Sequence, residues 1–464
     1  MFQTEIYTQR RNQLQQNVSS GLILLLGNED SPMNYLDNPY PFRQDSTFLY
    51  YFGLDLHHLA AIIDLEEGTT TIFGDELTMD YIVWMGAQPT VAELAAKAGV
   101  SQTKPYDKIA SALQAARSKD RPVHFLPPYR AENSIRLSQW LDIPVGELQN
   151  RASVDLIKSV VGQRSIKSIE EVQEIEKAVN ITKIMHRTVM QQAEAGVKEV
   201  ELRGTLEGIA ISHGGYPAYS TILSINGQIL HNHFYGNTLQ SGQLLLGDFG
   251  AATAQHYCGD ITRTIPVDRT FTPLQKDIYS LVLKAELKGI ELVKPGVRYL
   301  DVHLEVAKLI ANGLKDLGLM QGDMAEAVAQ GAHALFFPHG LGHMLGLDVH
   351  DMEDLGEKYV GYEDGLERST QFGLKSLRLA RELESGFVLT VEPGVYFIPQ
   401  LIDLWESEGK FKDFINYDKL KDYRDFGGIR IEDNVVVTQH SCRVLGELIS
   451  KTVRDVEEVR QGYL

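Results

Sequence analysis

Four carboxylates stand where apolar strands should run uninterrupted. Asp248 follows LLLG, Asp260 sits in CGDITRT, Glu392 breaks VLTVEPGVYF and Glu432 breaks IRIEDNVVV. One such acid is more often an exposed strand-edge or turn residue. Four of them in the most apolar segments are different, because unpaired buried carboxylates are too costly to accumulate without a compensating cation. The same part of the chain carries FFPHGLGHMLGLDVHD, in which His339, His343 and His350 are spaced by four and then seven residues among glycines. Four carboxylates and one imidazole form a hard, oxygen-rich donor set that suits manganese, cobalt or zinc. Their formal charge of −4 matches two divalent ions. Ions about 3.5–4 Å apart share a bridging water whose pKa falls to near neutral. The resulting hydroxide is a nucleophile, and an adjacent carboxylate can manage its proton.

Two smaller patterns accompany these acids. His231 and His233 in LHNHF alternate, so on a strand both point to one face; a solvated pair at a strand end fits equally well. Arg430 and Glu432 in GIRIED share a face on the same logic, placing a guanidinium where it can orient a metal carboxylate. The sequence has no G-x-S-x-G, Walker A, H-E-x-x-H or complete G-x-G-x-x-G. Serine hydrolases, P-loop enzymes, zincins and Rossmann dehydrogenases therefore have no positive support.

The elements that must hold these residues divide the chain in two. LILLL (22–26), FLYYFGL (48–54), AAIIDL (60–65), TTTIFG (69–74) and VHFLP (123–127) read as strands, with helices at 91–100 and 134–141. Their interleaving predicts an α/β N-terminal domain. A long helical pattern over 165–196, with Ser168 and Glu171 as a capping box, then changes the character of the chain. We place the boundary there, giving domains 1–165 and 166–464. Beyond it, strands are predicted at 228–235, 243–251, 256–267, 387–398 and 429–438, and helices at 273–293 and 300–317. Such segregation reads as α+β with an antiparallel sheet. Residues 401–425 read as a surface excursion between two strands.

Composition narrows the partners. A net charge of −18 over 464 residues argues against nucleic acid or an anionic membrane. The polar N-terminus has no signal-like apolar run, and Cys258 and Cys442 are too few for a disulfide framework. A cytoplasmic protein is expected.

LLLGDFG, GDITRTIPV, PHGLGHMLGLDVHD, VLTVEPGVYFI and GGIRIEDNVVVT, in that order, resemble the pita-bread metallopeptidases. Within them the resemblance is to the proline-specific branch of aminopeptidase P and prolidase, and it covers nearly the whole chain. It implies a creatinase-like N-terminal α/β domain before an α+β pita-bread catalytic domain. It also implies two divalent metal ions, with manganese expected, held by Asp248, Asp260, His343, Glu392 and Glu432. In family terms Asp248 chelates one ion, Asp260 and Glu432 bridge both, and His343 with Glu392 completes the other. Glu392 is then also the proton shuttle for the bridging hydroxide. His231, His339 and His350 fall on histidines that contact substrate, and Arg430 on the arginine that supports the ligands. Tyr219 and Thr262 are further candidates around them. A homodimer or homotetramer is expected.

Two spacings depart from the family. Asp248 to Asp260 is twelve residues, one more than expected, and we assign the extra residue to the presumed hairpin AATAQH. A slip inside a strand would instead turn one aspartate away. The segment from Tyr219 to His231 is about two residues short by the same comparison.

The N-terminal segment SPMNYLDNPYPFRQDSTFLYYFGLD resembles aminopeptidase P, whereas GLKSLRLARELESGFVLTVEPG resembles prolidase. In the latter branch the arginine of S-L-R grips a dipeptide carboxylate, and Arg378 holds that position; a solvated arginine paired with an acid such as Glu382 is as good a reading. The expectation is an Xaa-Pro aminopeptidase acting on peptides with a penultimate proline, and the alternative is an Xaa-Pro dipeptidase. A non-catalytic pita-bread peptide-binding module is remote because all five ligand positions hold competent residues. Methionine aminopeptidase is disfavoured by the large N-terminal domain.

Overall fold

The computed structural model describes residues 1–462. The chain forms two compact units, one of residues 1–164 with 354–359 and one of 165–353 with 360–464. No helix among the described residues is long and apolar enough to cross a membrane.

The first unit is built on a five-stranded mixed sheet of β1 (Leu22–Leu26), β2 (Ala60–Asp64), β3 (Thr69–Phe73), β4 (Gln102–Lys104) and β5 (Val123–His124), ordered β4-β3-β2-β1-β5. The meander β1–β2–β3 is antiparallel, while β4 and β5 join its edges in parallel. The expected strand at 48–54 is instead the helix Ser46–Phe52. Asp45 caps it by accepting from the Phe48 N–H at 2.8 Å, and Gly53 ends it at φ +64°. A short, continuous apolar run has no period to distinguish strand from buried helix. Here the two caps decide. Buried Arg10 and Arg11 then donate to the carbonyls of Tyr50 and Tyr51, at 2.9 and 2.7 Å.

In the second unit the helix Ile169–Gln192 opens with the Ser168–Glu171 capping box and stops at Gln192, short of Gly196. The strands are β6 (Tyr216–Pro217), β7 (Ile222–Ser224), β8 (Leu244–Phe249), β9 (Ala251–Ala252), β10 (Ile261–Pro266), β11 (Val388–Val391), β12 (Gly394–Tyr396), β13 (Gly428–Arg430), β14 (Asp433–Val437) and β15 (Cys442–Val444). Every pairing between them is antiparallel, in the small sheets β10-β8-β7, β11-β14-β15, β12-β13 and β6-β9. Helices Pro273–Leu292 and Tyr299–Asp316 lie where expected. The excursion at 401–425 is itself partly helical (Pro399–Ser407 and Tyr417–Leu420) and buries Trp405 and Leu420.

Three predicted strands are corrected. Residues 228–235 form a turn and irregular chain instead of a strand, so His231 and His233 share no strand face. Buried Asn232 sets the path, donating to Ser224 Oγ at 2.9 Å and accepting from the Phe234 N–H at 3.0 Å. The runs 387–398 and 429–438 are each broken in two, and the breaks fall at Glu392 and Glu432. β11 pairs with β14 and β12 with β13, so both interruptions lie at one level of the ladder. Pro393 has no N–H to continue it.

Candidate metal centre

The breaks aim the glutamates. The Glu392 N–H leaves the ladder to bond the Leu341 carbonyl at 2.8 Å, and the Glu432 N–H bonds that of Thr262 at 3.1 Å. Each carboxylate is thereby turned out of sheet register. Asp248 lies near the end of β8, directly opposite Thr262 of β10. The added residue is absorbed in the turn at 253–257, where His256 adopts φ +67° and bonds back to Thr253. β8 and β10 stay in continuous register, and Asp260 arrives beside Asp248. The Tyr219 hydroxyl bonds both aspartates, Asp248 at 2.5 Å and Asp260 by a shorter contact.

His343 completes the cluster. Its Nδ1–H donates to the Met344 carbonyl at 3.0 Å, leaving Nε2 toward Asp260 Oδ2 at 3.3 Å and Glu392 Oε1 at 3.6 Å. Asp260, His343 and Glu432 each offer a ligand atom, all within 4.8 Å of one another. The Asp260 backbone is clamped by Asn434, whose Oδ1 accepts its N–H at 3.0 Å while Nδ2 donates to its carbonyl at 2.5 Å.

The electrostatics are those of acids gathered out of water. Burial raises the Glu432 carboxyl well above the carboxylate range, reinforced by Asp260, Glu392 and Asp248. Burial likewise pushes Glu392 up to about 7, against the pull of His343 and Arg430. Asp248 is raised by burial despite Arg430, whereas Asp260, equally buried, is lowered by its hydrogen bond to His343. Burial would lower His343, but the hydrogen bond to Asp260 and the charges of Glu392 and Asp260 outweigh it. Glu432 is 1% exposed, and its Oε1 has no hydrogen-bond partner among the described residues. An ionised, unsatisfied acceptor that deep is unfavourable unless a cation meets it. That orphaned oxygen, the His343 Nε2 turned toward Asp260 and Glu392, and the carboxylates around them fit divalent metal ions.

The remaining candidates surround this floor. Arg430 donates from Nη2 to Asp248 at 2.6 Å, from Nη1 to the Tyr396 hydroxyl at 2.7 Å and from Nε to Thr262 Oγ1 at 3.2 Å. It was expected beside Glu432; its direct carboxylate partner is Asp248, and it reaches Glu432 only through Thr262, whose hydroxyl donates to Oε2 at 2.7 Å. His339 has both ring nitrogens committed, Nδ1 to the Gly340 carbonyl at 2.8 Å and Nε2 to the Tyr396 hydroxyl at 2.9 Å. Its Nδ1 lies 3.9 Å from Glu392 Oε2. The His350 ring packs edge-on against His343 at 4.2 Å and donates from Nδ1 to Glu353 at 2.6 Å. Arg378 pairs with the other Glu353 oxygen; Glu382, its suggested partner, instead bonds through its backbone to Glu363. His231 is exposed and is not bonded into the cluster, while its pKa is lowered by desolvation and by the charges of Arg430 and Arg378, against Asp248. His233 is also exposed and stands apart.

Against known proteins, residues 173–439 match Metallopeptidase family M24 and residues 7–124 match the aminopeptidase P N-terminal domain. The chain belongs to metallopeptidase family M24. Human Xaa-Pro dipeptidase is 32% identical over 459 residues, covering 96% of this chain and 89% of that protein. Escherichia coli Xaa-Pro aminopeptidase is 30% identical over 462 residues, covering 97% and 96%. The solved structure of proline aminopeptidase P II from Yersinia pestis superposes with a TM-score of 0.82 at 28% identity, covering 99% of this chain and 100% of that one. The mixed α/β architecture, an aminopeptidase P-type N-terminal domain before an M24 catalytic domain, is thus established.

Several residues at the centre of this M24 peptidase carry no role in the sequence reading. Thr390 Oγ1 accepts the His343 N–H at 3.1 Å and lies 3.4 Å from Glu392, and the Tyr299 hydroxyl donates to the Thr390 carbonyl at 2.6 Å. Thr390 and Glu392 are two apart in an apolar run, as are Glu432 and Asn434. A second polar residue at period two in a buried strand was a legible signal. Tyr396, which joins His339 to Arg430, and Glu353, which joins His350 to Arg378, had no such pattern.

Proposed function

We propose that this peptidase removes the N-terminal residue from peptides with proline in second position. The observation that carries the choice is the ion pair between Arg378 and Glu353. A free dipeptide carboxylate would be gripped best by a guanidinium not already neutralised, whereas a longer peptide presents an amide there and needs no such grip. Xaa-Pro dipeptidase is the second reading, favoured by Arg378 in its S-L-R setting and by the human relative of that name.

Asp248, Asp260, His343, Glu392 and Glu432 would hold two divalent ions. Oxygen donors with a single imidazole favour manganese. Bound there, the ions supply Lewis acidity that activates water and polarises the scissile carbonyl. Glu392, a largely buried carboxylate beside His343, would accept a proton from the attacking water and return it to the proline nitrogen as it leaves. That nitrogen carries no hydrogen in the peptide, so the bond breaks cleanly only if a proton is delivered. Arg430 and Tyr219 hold Asp248 in place. His350, its Nδ1–H given to Glu353, keeps Nε2 as an acceptor that would face substrate. The same reading places the enzyme in the cytoplasm as a homodimer or homotetramer.

The test is hydrolysis by manganese-loaded protein of Xaa-Pro dipeptides beside Xaa-Pro-Xaa tripeptides. Cleavage of both, with the tripeptide preferred, is expected. Dipeptides cleaved while tripeptides stay intact would overturn the choice, and no metal uptake would favour the peptide-binding module.

A further inference from the structure

The turn that follows the VHD segment is built to deliver one carboxylate. Buried Asp351 is pinned by Lys167 at 2.8 Å, both side chains being 1% exposed. Met352 takes φ +63° with its side chain buried, a costly conformation for a residue with a Cβ. The chain thereby reverses into the short 3-10 turn Glu353–Leu355, and the Glu353 N–H bonds back to the His350 carbonyl at 3.2 Å. Glu353 comes to lie over His350, three residues earlier. Its two oxygens are divided: Oε2 accepts from His350 Nδ1 at 2.6 Å and Oε1 pairs with Arg378 Nη1. Arg378 in turn is close enough for its charge to act on both His231 and His350.

We propose that Glu353 is a specificity-determining residue that selects against substrates ending in a free carboxylate at the proline. This rests on the proline-peptidase reading above and deepens it. With Glu353 in place, a carboxylate entering near Arg378 meets a neutral pair instead of a cation, and lies close to a second negative charge. An amide at the same position loses nothing. The guanidinium stays charged whatever it is paired with, so a dipeptide is weakened rather than refused. The same carboxylate holds the His350 tautomer, which affects every substrate alike and cancels in a ratio.

The experiment compares Xaa-Pro with Xaa-Pro-amide, which differ only in the terminal charge, on the manganese-loaded full chain. Glu353→Gln raises the acid-to-amide ratio of kcat/KM roughly tenfold, about 1.4 kcal/mol, mainly through the KM of the acid. Glu353→Asp, which keeps the charge, stays near wild type, and adding Arg378→Gln to Glu353→Gln abolishes the gain. A ratio within twofold of wild type in Glu353→Gln, or one moved toward the amide, overturns the proposal. A wild type that already prefers dipeptides sinks the aminopeptidase reading but leaves this shift readable. If no Xaa-Pro compound is turned over, the relative Kd of proline and prolinamide for the two proteins decides it in the same way.

Discussion

Two buried charge clusters sit back to back on the same strands, and they are balanced differently. Thr262 and Glu432 face the metal centre, and their chain neighbours Arg263 and Asp433 belong to a second cluster, by strand alternation along β10 and by the break before β14 at Glu432. Arg263, 2% exposed, donates to Asp433 Oδ1 at 2.7 Å and to the Thr262 and Glu432 carbonyls at 2.9 and 2.7 Å. Lys451 bonds Asp433 at 2.5 Å and Glu286 at 2.7 Å. Two cations face two acids there, so the charges balance although one Glu286 oxygen has no hydrogen-bond partner among the described residues. On the other face four acids share one guanidinium and one imidazole, and a Glu432 oxygen is left over. Burial alone therefore does not mark a metal site; uncompensated negative charge does. The balanced cluster also serves the other, because Arg263 holds the backbone that carries Thr262 and Glu432.

The contrast can be broken most directly at its ends. His343→Ala, or chelation of the wild type, should lose bound metal and cost turnover about a thousandfold or more, read by metal analysis beside a peptide assay. His339→Ala and His350→Ala should keep metal while losing turnover. If all three behave alike, floor and surround are not separate. Arg263→Met should destabilise the fold by about 3 kcal/mol, since it leaves buried Asp433 and Glu286 to share Lys451 alone. Urea unfolding measures this, and a loss below 1 kcal/mol would mean the second cluster is not a structural lock.

Proton linkage sharpens the comparison further. Metal must displace the proton that burial keeps on Glu392 up to about 7. Because burial also raises the Glu432 carboxyl, apparent metal affinity should rise roughly tenfold or more per pH unit from 5 to 7, with protons released on binding; calorimetry in buffers of different ionisation enthalpy reads both. A flat profile would place no proton there. In the metal-free protein Glu432 has its folded pKa raised above its unfolded value, so it costs stability once pH exceeds the ordinary glutamate range. Glu432→Gln should therefore stabilise the metal-free protein at pH 7 by roughly 1 kcal/mol, with the gain vanishing near pH 4. The metal-dependent rise in Tm should disappear in the same variant.

The acids, the histidine motif and the segregation of strands from helices were legible because each leaves a local mark: a charge in an apolar run, glycines around imidazoles, a period of two or 3.6. The strand predicted at 48–54 failed because a continuous apolar run has no period, and caps at Asp45 and Gly53 turned Ser46–Phe52 into helix. Residues 228–235 failed because buried Asn232 bends the chain by contacts that alternation does not reveal. Glu353 was invisible, since nothing in MED announces that Met352 will reverse the chain.

By itself, then, the sequence determined which residue types are available for chemistry and, through five ordered motifs, the family. Composition, periodicity and motif order are properties of the chain alone. Tertiary structure decided which charges are compensated and by whom. It gave Arg430 to Asp248 instead of Glu432, closed Arg263 onto Asp433, left Glu432 Oε1 unpartnered and brought Glu353 between His350 and Arg378. Those pairings join residues that are mostly far apart in sequence, and their strength depends on distance and burial, which exist only once the chain has folded.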